Sequence, residues 1–191
     1  MQRRDMVKTS LFGIGAVAAA GIAETAAAAP AKKRTREEWD VVVVGAGFAG
    51  MCAALEAAEQ GAKVVLLEKM GRPDGATVYS SGWIAAVGSR FQNHPEDNKE
   101  AFFNDMMKLS GYHSDPELIR VYADEAGQGI DWLADHGTPF YLWENLPAPE
   151  LSRCLISPGE GITGGSMLIR CLMKALEKKG VPIRYNTKAV E

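Results

Sequence analysis

The sequence is poor in the residues that hold metals, haem or disulfides. It contains three cysteines and three histidines among 191 residues, and their spacings match no CxxC redox motif, no CxxCH haem attachment and no zinc site. We therefore expect no metal centre, cysteines that behave as small buried apolar residues, and histidines that are solvated and not catalytic. These residues are Cys52, Cys154, Cys171, His94, His113 and His136.

A large excess of one charge is also missing. The formal net charge is -3 and 47% of the residues are hydrophobic, a balance typical of ordinary globular domains and not of proteins that bind polyanions. We therefore expect no nucleic-acid partner. No apolar run is long enough for a stable membrane span, and 191 residues suffice for one domain with a hydrophobic core.

What the sequence does contain is one ordered stretch, Asp40 to Lys69, which reads DVVVVGAGFAGMCAALEAAEQGAKVVLLEK. Val41 to Val44 have the length and β-branched content of a strand buried on both faces. The glycines that follow give GxGxxG, apolar residues then recur at helical spacing, and Val64 to Leu67 form a second strand-like run before Glu68. The stretch therefore predicts a strand, a turn, a helix and a second strand that ends in an acid.

Three glycines and the acid of this unit have distinct physical roles. Gly45 allows the sharp turn out of the strand, Gly47 allows the backbone to approach a pyrophosphate, and Gly50 allows the helix to pack closely on the strand. The helix N-terminus offers N–H groups and a positive dipole end to phosphates, and Glu68 is placed to accept hydrogen bonds from ribose hydroxyls. The pattern predicts dinucleotide binding. The alternative is a glycine-rich turn in an unrelated α/β domain.

Residues 1–31 are predicted to be a signal peptide of the twin-arginine type. Arg3 and Arg4 precede a hydrophobic position and a lysine, and a mildly apolar run rich in Gly and Ala follows from Leu11 to Ile22. The twin-arginine route carries proteins already folded around a cofactor, which agrees with the dinucleotide motif. The alternative is a general secretory signal with accidental arginines.

The sequence leaves the cleavage site of this signal open between Ala28 and Ala31. The mature protein is expected to be periplasmic or otherwise extracytoplasmic, unless the signal stays uncleaved as an anchor. Residues 32–39 are charged and are predicted to be a linker.

The middle of the chain contains a segment without a period and two amphipathic helices. Residues 70–89, MGRPDGATVYSSGWIAAVGS, have neither a helical nor a strand period and suit a backbone that lies against a flat ligand. A first helix is predicted from Pro95 to Leu109, and a second from an N-cap at Ser114 to about Asp135. The residues expected to face the core are Phe102, Met106, Leu109, Leu118, Tyr122, Ile130 and Leu133.

The last part of the chain predicts three short strands and one further helix. Phe140 to Trp143, Leu151 to Ile156 and Pro182 to Tyr185 are interpreted as strands. A glycine-rich loop, SPGEGITGG, precedes a helix that starts at Ser166 and is stopped by Gly180. The alternation of strands and helices predicts an α/β fold.

These motifs occur in the order found in a known family. VVVVGAGFAG with Glu68-Lys69, DGATVYSSGWIAA, SDPELIRVYADEAGQGIDWLADHG and ISPGEGITGGSMLIRCLMKALEKKG resemble the N-terminal part of the flavoproteins grouped with fumarate reductase and succinate dehydrogenase, especially the exported fumarate-reductase-like and urocanate-reductase-like enzymes. The resemblance implies that residues 40–191 are the N-terminal portion of a Rossmann-like FAD-binding domain. That domain is a glutathione-reductase-like doubly wound sheet, and we expect it to be incomplete at its C-terminus.

The same resemblance implies which residues bind FAD. The pyrophosphate lies over the glycine turn, the ribose on the acid, the flavin beside the small residues of DGATVYSSGW, and the adenine against the backbone near Val190. The implied cofactor-binding residues are Gly45, Gly47, Phe48, Ala49, Gly50, Glu68, Lys69, Ala76, Thr77, Ser81, Gly82 and Val190. The chain departs from the family at Ala76, where Asn is common, and at Trp83, where Gly is frequent. The loss of the Asn side chain removes one flavin-side hydrogen-bonding group.

The resemblance further implies an exported oxidoreductase that uses FAD to reduce an unsaturated carboxylate such as fumarate. Family enzymes carry a capping domain with the substrate-binding histidines and arginines and the proton-donating arginine, and no residue of this chain is a candidate for that acid. We therefore expect no catalytic residue among the 191 residues, and an electron donor in another domain or protein.

Three alternatives remain open from the sequence. Within the same class of enzyme, a ketosteroid-dehydrogenase-like or aspartate-oxidase-like flavoenzyme shares the pattern seen in this chain. A second alternative is a truncated, catalytically silent product, because a doubly wound sheet without its late strands leaves an unpaired edge. The third is an NAD-linked dehydrogenase built on the same opening motif.

Overall fold

The computed structural model describes residues 36–73, 75–92, 94, 96–143, 153–158 and 164–190. The predicted signal peptide, residues 1–31, and the first half of the predicted linker, residues 32–35, lie outside the described residues. Every element given below belongs to the compact unit Glu38–Glu191. In chain order the elements are β1 (Val41–Val44), α1 (Phe48–Glu59), β2 (Val64–Leu67), α2 (Ala76–Tyr79), β3 (Trp83–Ala85), α3 (Lys99–Leu109), α4 (Pro116–Asp135), β4 (Tyr141–Leu142), β5 (Cys154–Ile156), α5 (Gly164–Lys178) and β6 (Ile183–Arg184).

A parallel sheet with the strand order β1-β2-β6 carries the first motif. β1 pairs with β2 from Val41↔Val64 to Val44↔Leu67, and α1 is the crossover between these two strands. α1 and α5 pack against each other through a core that includes Met51, Leu55 and Leu172. The α/β fold predicted from the alternation of strands and helices is confirmed.

The prediction that β1 is buried on both faces is wrong. Val41 and Val43 pack against the core, but Val42 is 51% exposed and Val44 is 65% exposed. Among the described residues, the helices packed on β1 cover one face only. A run of four valines predicts a strand, but it does not predict whether one or both faces of that strand are buried.

A second, antiparallel sheet has the strand order β3-β5-β4. Its first strand and α2 both lie in residues 70–89, which the sequence predicted to lack regular structure, so that prediction is wrong. The reason is tertiary: β3 becomes a strand by pairing with β5 through Ile84↔Leu155, and α2 packs on α5. Both partners lie far along the chain, so the local spacing of apolar residues cannot predict these contacts.

Two smaller cores join this sheet to α3 and α4. One contains Ala86, Ile130 and Leu155, and the other contains Val87, Phe102 and Ala123. The inward orientations predicted for Phe102, Ile130 and Leu133 are confirmed. Met106 packs against the core around Phe102, and Tyr122, although 37% exposed, packs its ring on Phe102 with centroids 5.8 Å apart. Leu109 and Leu118 are 66% and 69% exposed. Leu118 is wrong because the buried residues of α4 begin only at Ala123.

The N-cap of α4 lies one residue after the predicted one. Asp115, not Ser114, is the N-cap: its side chain accepts from the Glu117 N–H, and Pro116 occupies the first helical position. Asn98 caps α3 by accepting from the Ala101 N–H at 2.9 Å. The other predicted strands and the last helix are also present. β4 and β6 are shorter than predicted, and α5 begins two residues earlier. β5 begins at Cys154, and residues 151 and 152 of its predicted range lie outside the described residues.

Candidate functional site

The turn after β1 is shaped by two of its glycines. Gly45 has φ +102°, a backbone region that disfavours side chains, and its N–H donates to Leu67 O at 2.8 Å. A Cβ on Gly50 would lie 2.0 Å from Gly45 O. The start of α1 therefore lies directly against the turn, and Gly50 makes that approach possible.

Gly47 opens the N-terminus of α1 to the outside. It is the N-cap of α1 and makes no side-chain capping hydrogen bond, and a Cβ placed on it would meet nothing within 4 Å. The first N–H groups of a helix have no partner within the helix, so the N–H groups of Phe48, Ala49 and Gly50 are available to a ligand. Together with the positive end of the helix dipole they form a site for an anionic group such as a pyrophosphate.

Glu68 ties the end of β2 to this turn. Its side chain is 6% exposed. One carboxylate oxygen accepts from the Ala46 N–H at 2.8 Å and the other from the Met70 N–H at 2.8 Å. Each oxygen has a further lone pair, so the carboxylate can hold the turn and still accept from a ribose hydroxyl. The Ala46 contact was not foreseen from the sequence.

The chain that follows β6 passes beside Glu68. The Asn186 N–H donates to Met70 O at 2.9 Å and the Thr187 N–H donates to Glu68 O at 2.8 Å. Burial, and then the charge of Glu68, raises the pKa of Tyr185. Lys69 is exposed and Val190 is 81% exposed. Glu68 and Lys69 thus lie at the same edge of the parallel sheet as the glycine turn, and the chain that leads to Val190 passes this edge at Asn186 and Thr187.

The predicted flavin-side residues lie on and after α2. Ala76 and Thr77 are in α2, and Ser81 and Gly82 connect α2 to β3. α2 is fixed to the start of α5, because the Gly165 N–H donates to Ser80 O at 3.2 Å and the Ser166 hydroxyl donates to Val78 O at 3.0 Å.

Three glycines form the contact between these two segments, which we call the glycine junction: Gly82, Gly164 and Gly165. A Cβ on Gly165 would lie 1.8 Å from Thr77 O, and one on Gly164 would lie 2.3 Å from Ser81 O. Gly82 has φ +80°, and its Cβ would lie 2.4 Å from the Gly164 carbonyl carbon. The packing role of Gly164 and Gly165 was not predicted from the sequence, although a glycine pair at the start of an amphipathic helix was a signal for it.

A cavity of about 350 Å³ opens at this junction and reaches α1. It contains four of the predicted cofactor residues, Phe48, Ala76, Thr77 and Gly82, which come from separate parts of the chain. The other lining residues are Ser80, Trp83, Ile84 and Leu168. None of the eight carries a charge, so the walls suit a flat, mostly apolar ring system, and no acid or base among them is placed for proton transfer.

A larger cavity of about 490 Å³ lies at the opposite end of α1, away from the predicted cofactor residues. It is lined by the C-terminal ends of α1, α4 and α5, whose dipoles carry partial negative charge there. At its wall Lys179 Nζ is 2.9 Å and His136 Nε2 is 3.1 Å from Glu59, and the lysine first, then the histidine, lowers the pKa of Glu59. The expectation of a solvated His136 is wrong, because its ring also contacts Trp132.

Two of the three cysteines have thiols whose pKa is raised by burial. Burial raises the pKa of Cys52 to about 11 and also raises that of Cys154, so both are neutral thiols at physiological pH. Cys154 is buried, whereas Cys52 and Cys171 are partly exposed. In the described ranges no group of three metal-ligating side chains is found, and none of the described helices is long and apolar enough to cross a membrane.

The residues brought together fit FAD. The N-terminus of α1 offers N–H groups to the pyrophosphate, Glu68 has lone pairs left for the ribose, and the uncharged cavity beside Phe48 has room for the flavin ring. When bound there, FAD supplies two-electron hydride chemistry. The described residues thus include the groups that would bind and orient the cofactor.

Comparison with known proteins agrees with this geometry. Residues 40–191 match the family described as FAD binding domain. Over 157 residues the chain is 33% identical to NADH:fumarate oxidoreductase of Klebsiella pneumoniae (strain 342), covering 81% of the chain and 17% of that protein. Over 156 residues it is 37% identical to urocanate reductase of Eggerthella lenta, covering 80% of the chain and 25% of that protein. The chain thus spans a quarter or less of the length of these relatives.

A solved structure gives the same result for the fold. The crystal structure of 3-ketosteroid-Δ4-(5α)-dehydrogenase from Rhodococcus jostii RHA1 is similar with a TM-score of 0.68 and 30% identity, covering 81% of this chain and 39% of that chain. FAD as the cofactor, predicted from the resemblance, is confirmed by the family match. The chain belongs to the FAD binding domain family of flavoprotein oxidoreductases, with relatives that include fumarate and urocanate reductases.

Proposed function

We propose that this chain is the FAD-binding part of an exported oxidoreductase that reduces the carbon–carbon double bond of an unsaturated carboxylate. The similarity to an NADH:fumarate oxidoreductase and a urocanate reductase supports this class of substrate. Since the chain covers 17% and 25% of those proteins, the activity belongs to the whole protein that contains it.

The observation that carries the proposal is the position of the uncharged cavity. It adjoins the N-terminus of α1 through Phe48 and the glycine junction through Thr77 and Gly82. One anion site and one site for a flat ring therefore lie side by side, as a dinucleotide with a flavin requires. The cations that bind the carboxylate and the acid that protonates the substrate come from parts of the protein outside the described residues, and the electrons from a donor protein or a further domain.

The test is an acceptor assay on the whole protein purified with FAD. Its flavin is reduced with dithionite-reduced methyl viologen under anaerobic conditions, and fumarate or urocanate is added. We expect reoxidation of viologen that depends on the acceptor and on FAD. Complete reduction of the flavin without reoxidation by fumarate, urocanate or trans-cinnamate would contradict the proposal.

Export by the twin-arginine route is the second part of the proposal and is supported by the paired Arg3 and Arg4 before the apolar run. A variant with both arginines replaced by lysine keeps the positive charge but loses the paired guanidinium groups. We expect the protein in the periplasmic fraction to become cytoplasmic in this variant. Lys8→Arg is the matched control, and export of the double-lysine variant with unchanged efficiency would contradict the route.

A ketosteroid-dehydrogenase-like activity is the second candidate. It is favoured by one observation, the TM-score of 0.68 and 30% identity to the Rhodococcus enzyme. A 3-ketosteroid with a ring double bond added to the reduced protein distinguishes the two candidates: reoxidation by the steroid but by neither acid would favour the second.

A further inference from the structure

The antiparallel sheet has one face in the core and one aromatic face outside. Residues directly opposite each other in neighbouring strands share a face. The row Ile84, Leu155 and Leu142 belongs to the core around Ile130. The next row, Trp83, Ile156 and Tyr141, therefore lies on the other face.

This outer face stays accessible although it is made of large apolar side chains. Trp83 is 43% exposed and Tyr141 is 41% exposed. The ring of Trp143 packs against both, with centroids 5.8 Å from Trp83 and 6.2 Å from Tyr141, and the Trp143 N–H donates to Cys154 O at 2.9 Å. The solvated face of an antiparallel sheet is normally polar, so a contiguous aromatic cluster there indicates a binding surface.

The aromatic cluster, defined as Trp83, Tyr141 and Trp143, continues into the uncharged cavity. Trp83 belongs to both, since it is a wall of the cavity and the first ring of the cluster. A ligand lying on the cluster therefore has one end beside the space that fits the flavin ring. That continuity favours a small flat molecule as the occupant.

We propose that the aromatic cluster is part of the acceptor-binding wall and selects planar, conjugated substrates with an aryl or ring-enone body over short dicarboxylates. That these molecules are substrates rests on the proposed function, whereas their binding to the aromatic cluster does not. Flat conjugated rings gain offset or edge-on contacts with Trp and Tyr. Fumarate offers no ring to such contacts, and moving its two charges against an uncharged apolar face is unfavourable.

The test measures binding to the whole, FAD-loaded, oxidised protein, so that no turnover is needed. Trans-cinnamate is the aryl probe and fumarate the dicarboxylate probe, and binding is followed by the shift of the flavin absorption bands and by tryptophan fluorescence. We expect cinnamate to bind at least about tenfold more tightly than fumarate, and Trp143→Leu to weaken cinnamate about tenfold, the change that corresponds to one lost aromatic contact.

Two further variants keep the result interpretable. Trp83→Phe retains a ring and the apolar contact of Trp83, so cinnamate affinity should fall by less than in Trp143→Leu. Trp39→Leu is the matched control, because Trp39 lies beside the parallel sheet with Lys63 Nζ 4.8 Å from its ring centroid. Cinnamate and fumarate affinities should be unchanged in that variant.

Each outcome decides the question. Tighter binding of fumarate than cinnamate, or equal cinnamate affinity in Trp143→Leu and wild type, would overturn the inference. So would tryptophans that acrylamide cannot quench in the whole protein, since the face would then be covered by another part of the protein or a second copy. Cinnamate binding that depends on Trp143, without reduction of any acid, would uphold the inference and reject the proposed function.

Discussion

Two groups of glycines shape the site, and they differ in how far apart along the chain their contacts lie. In the turn after β1, the missing Cβ of Gly50 makes room for Gly45 O, five residues earlier. In the glycine junction, the missing Cβ of Gly165 makes room for Thr77 O, in a different part of the chain. The first group shapes a local turn, whereas the second allows two distant segments to dock.

The difference implies different dependence on the rest of the fold. The turn forms once β1, α1 and β2 pair, because Gly45 also donates to Leu67 at the end of β2. The junction requires α5 to be in place under α2, and α5 is held by its packing on α1. We therefore expect changes in the junction to disturb more of the molecule than changes in the turn.

The largest effect is expected for Gly165→Ala. The new Cβ would overlap Thr77 O, at 1.8 Å, and the Ser80 hydroxyl, at 2.3 Å, so α2 has to move off α5. We expect a loss of stability of about 3 kcal/mol together with loss of bound FAD, measured by urea unfolding and by flavin absorbance.

Gly129→Ala is the control for this prediction, because its Cβ would meet nothing within 4 Å in α4. Alanine is the better helix former, so a small gain of about 0.5–1 kcal/mol is expected there. Equal stability of Gly165→Ala and wild type would show that the junction is looser than the structure indicates.

The next largest effect separates Gly50 from Gly47. Gly50→Ala puts a Cβ 2.0 Å from Gly45 O, and we expect a loss of about 2 kcal/mol in unfolding free energy. Gly47→Ala meets no atom of the protein, so the apoprotein should keep its stability while FAD affinity falls. Urea unfolding without FAD and a fluorescence titration with FAD separate the two effects. Normal FAD affinity in Gly47→Ala would contradict a pyrophosphate site at the N-terminus of α1.

A smaller effect is expected for Glu68→Gln. The amide has one oxygen, so it can serve the Ala46 N–H or the Met70 N–H but not both. We expect a loss of about 1–2 kcal/mol in stability and weaker FAD binding, since the ribose acceptor changes as well. Glu56→Gln on α1 is the control, and an unchanged FAD affinity in Glu68→Gln would argue against a ribose contact.

The smallest effect concerns Glu59, at the end of α1 that lies away from the turn. Lys179 and His136 hold the pKa of Glu59 below its usual 4.5. The carboxylate therefore contributes stability above pH 4.5, and this contribution is lost as the pH falls through the lowered pKa. Glu59→Gln should cost less than about 1 kcal/mol at neutral pH, with a difference from wild type that shrinks in acid and with unchanged FAD affinity.

Much of the first unit was predictable because its determinants are local. The valine run, the glycine spacing and the acid at the end of β2 lie within Asp40 to Lys69, and the structure forms these elements there. The same holds for the helix cores around Phe102 and Ile130. The error at Ser114 was one of position only, since Asp115 beside it has an equally suitable side chain and precedes a proline.

The failures share a non-local cause. β3 exists because Trp83, Ile84 and Ala85 pair with β5, and its outer row became visible only through that pairing. Val42 and Val44 are exposed because burial depends on what packs on the strand and not on the valines themselves. The signal peptide, its export route and the assignment of individual cofactor contacts remain predictions.

The sequence by itself determined the strand, turn, helix and acid of the nucleotide unit and, through the order of its motifs, the FAD family. These features depend on backbone conformations and spacings set within a few dozen residues. Only the tertiary structure decided that Phe48, Thr77 and Gly82 share one cavity, and that Trp83 turns to an exposed aromatic face. The physical reason is that close approach between distant segments depends on packing at the glycine junction, and no local pattern encodes which segments meet.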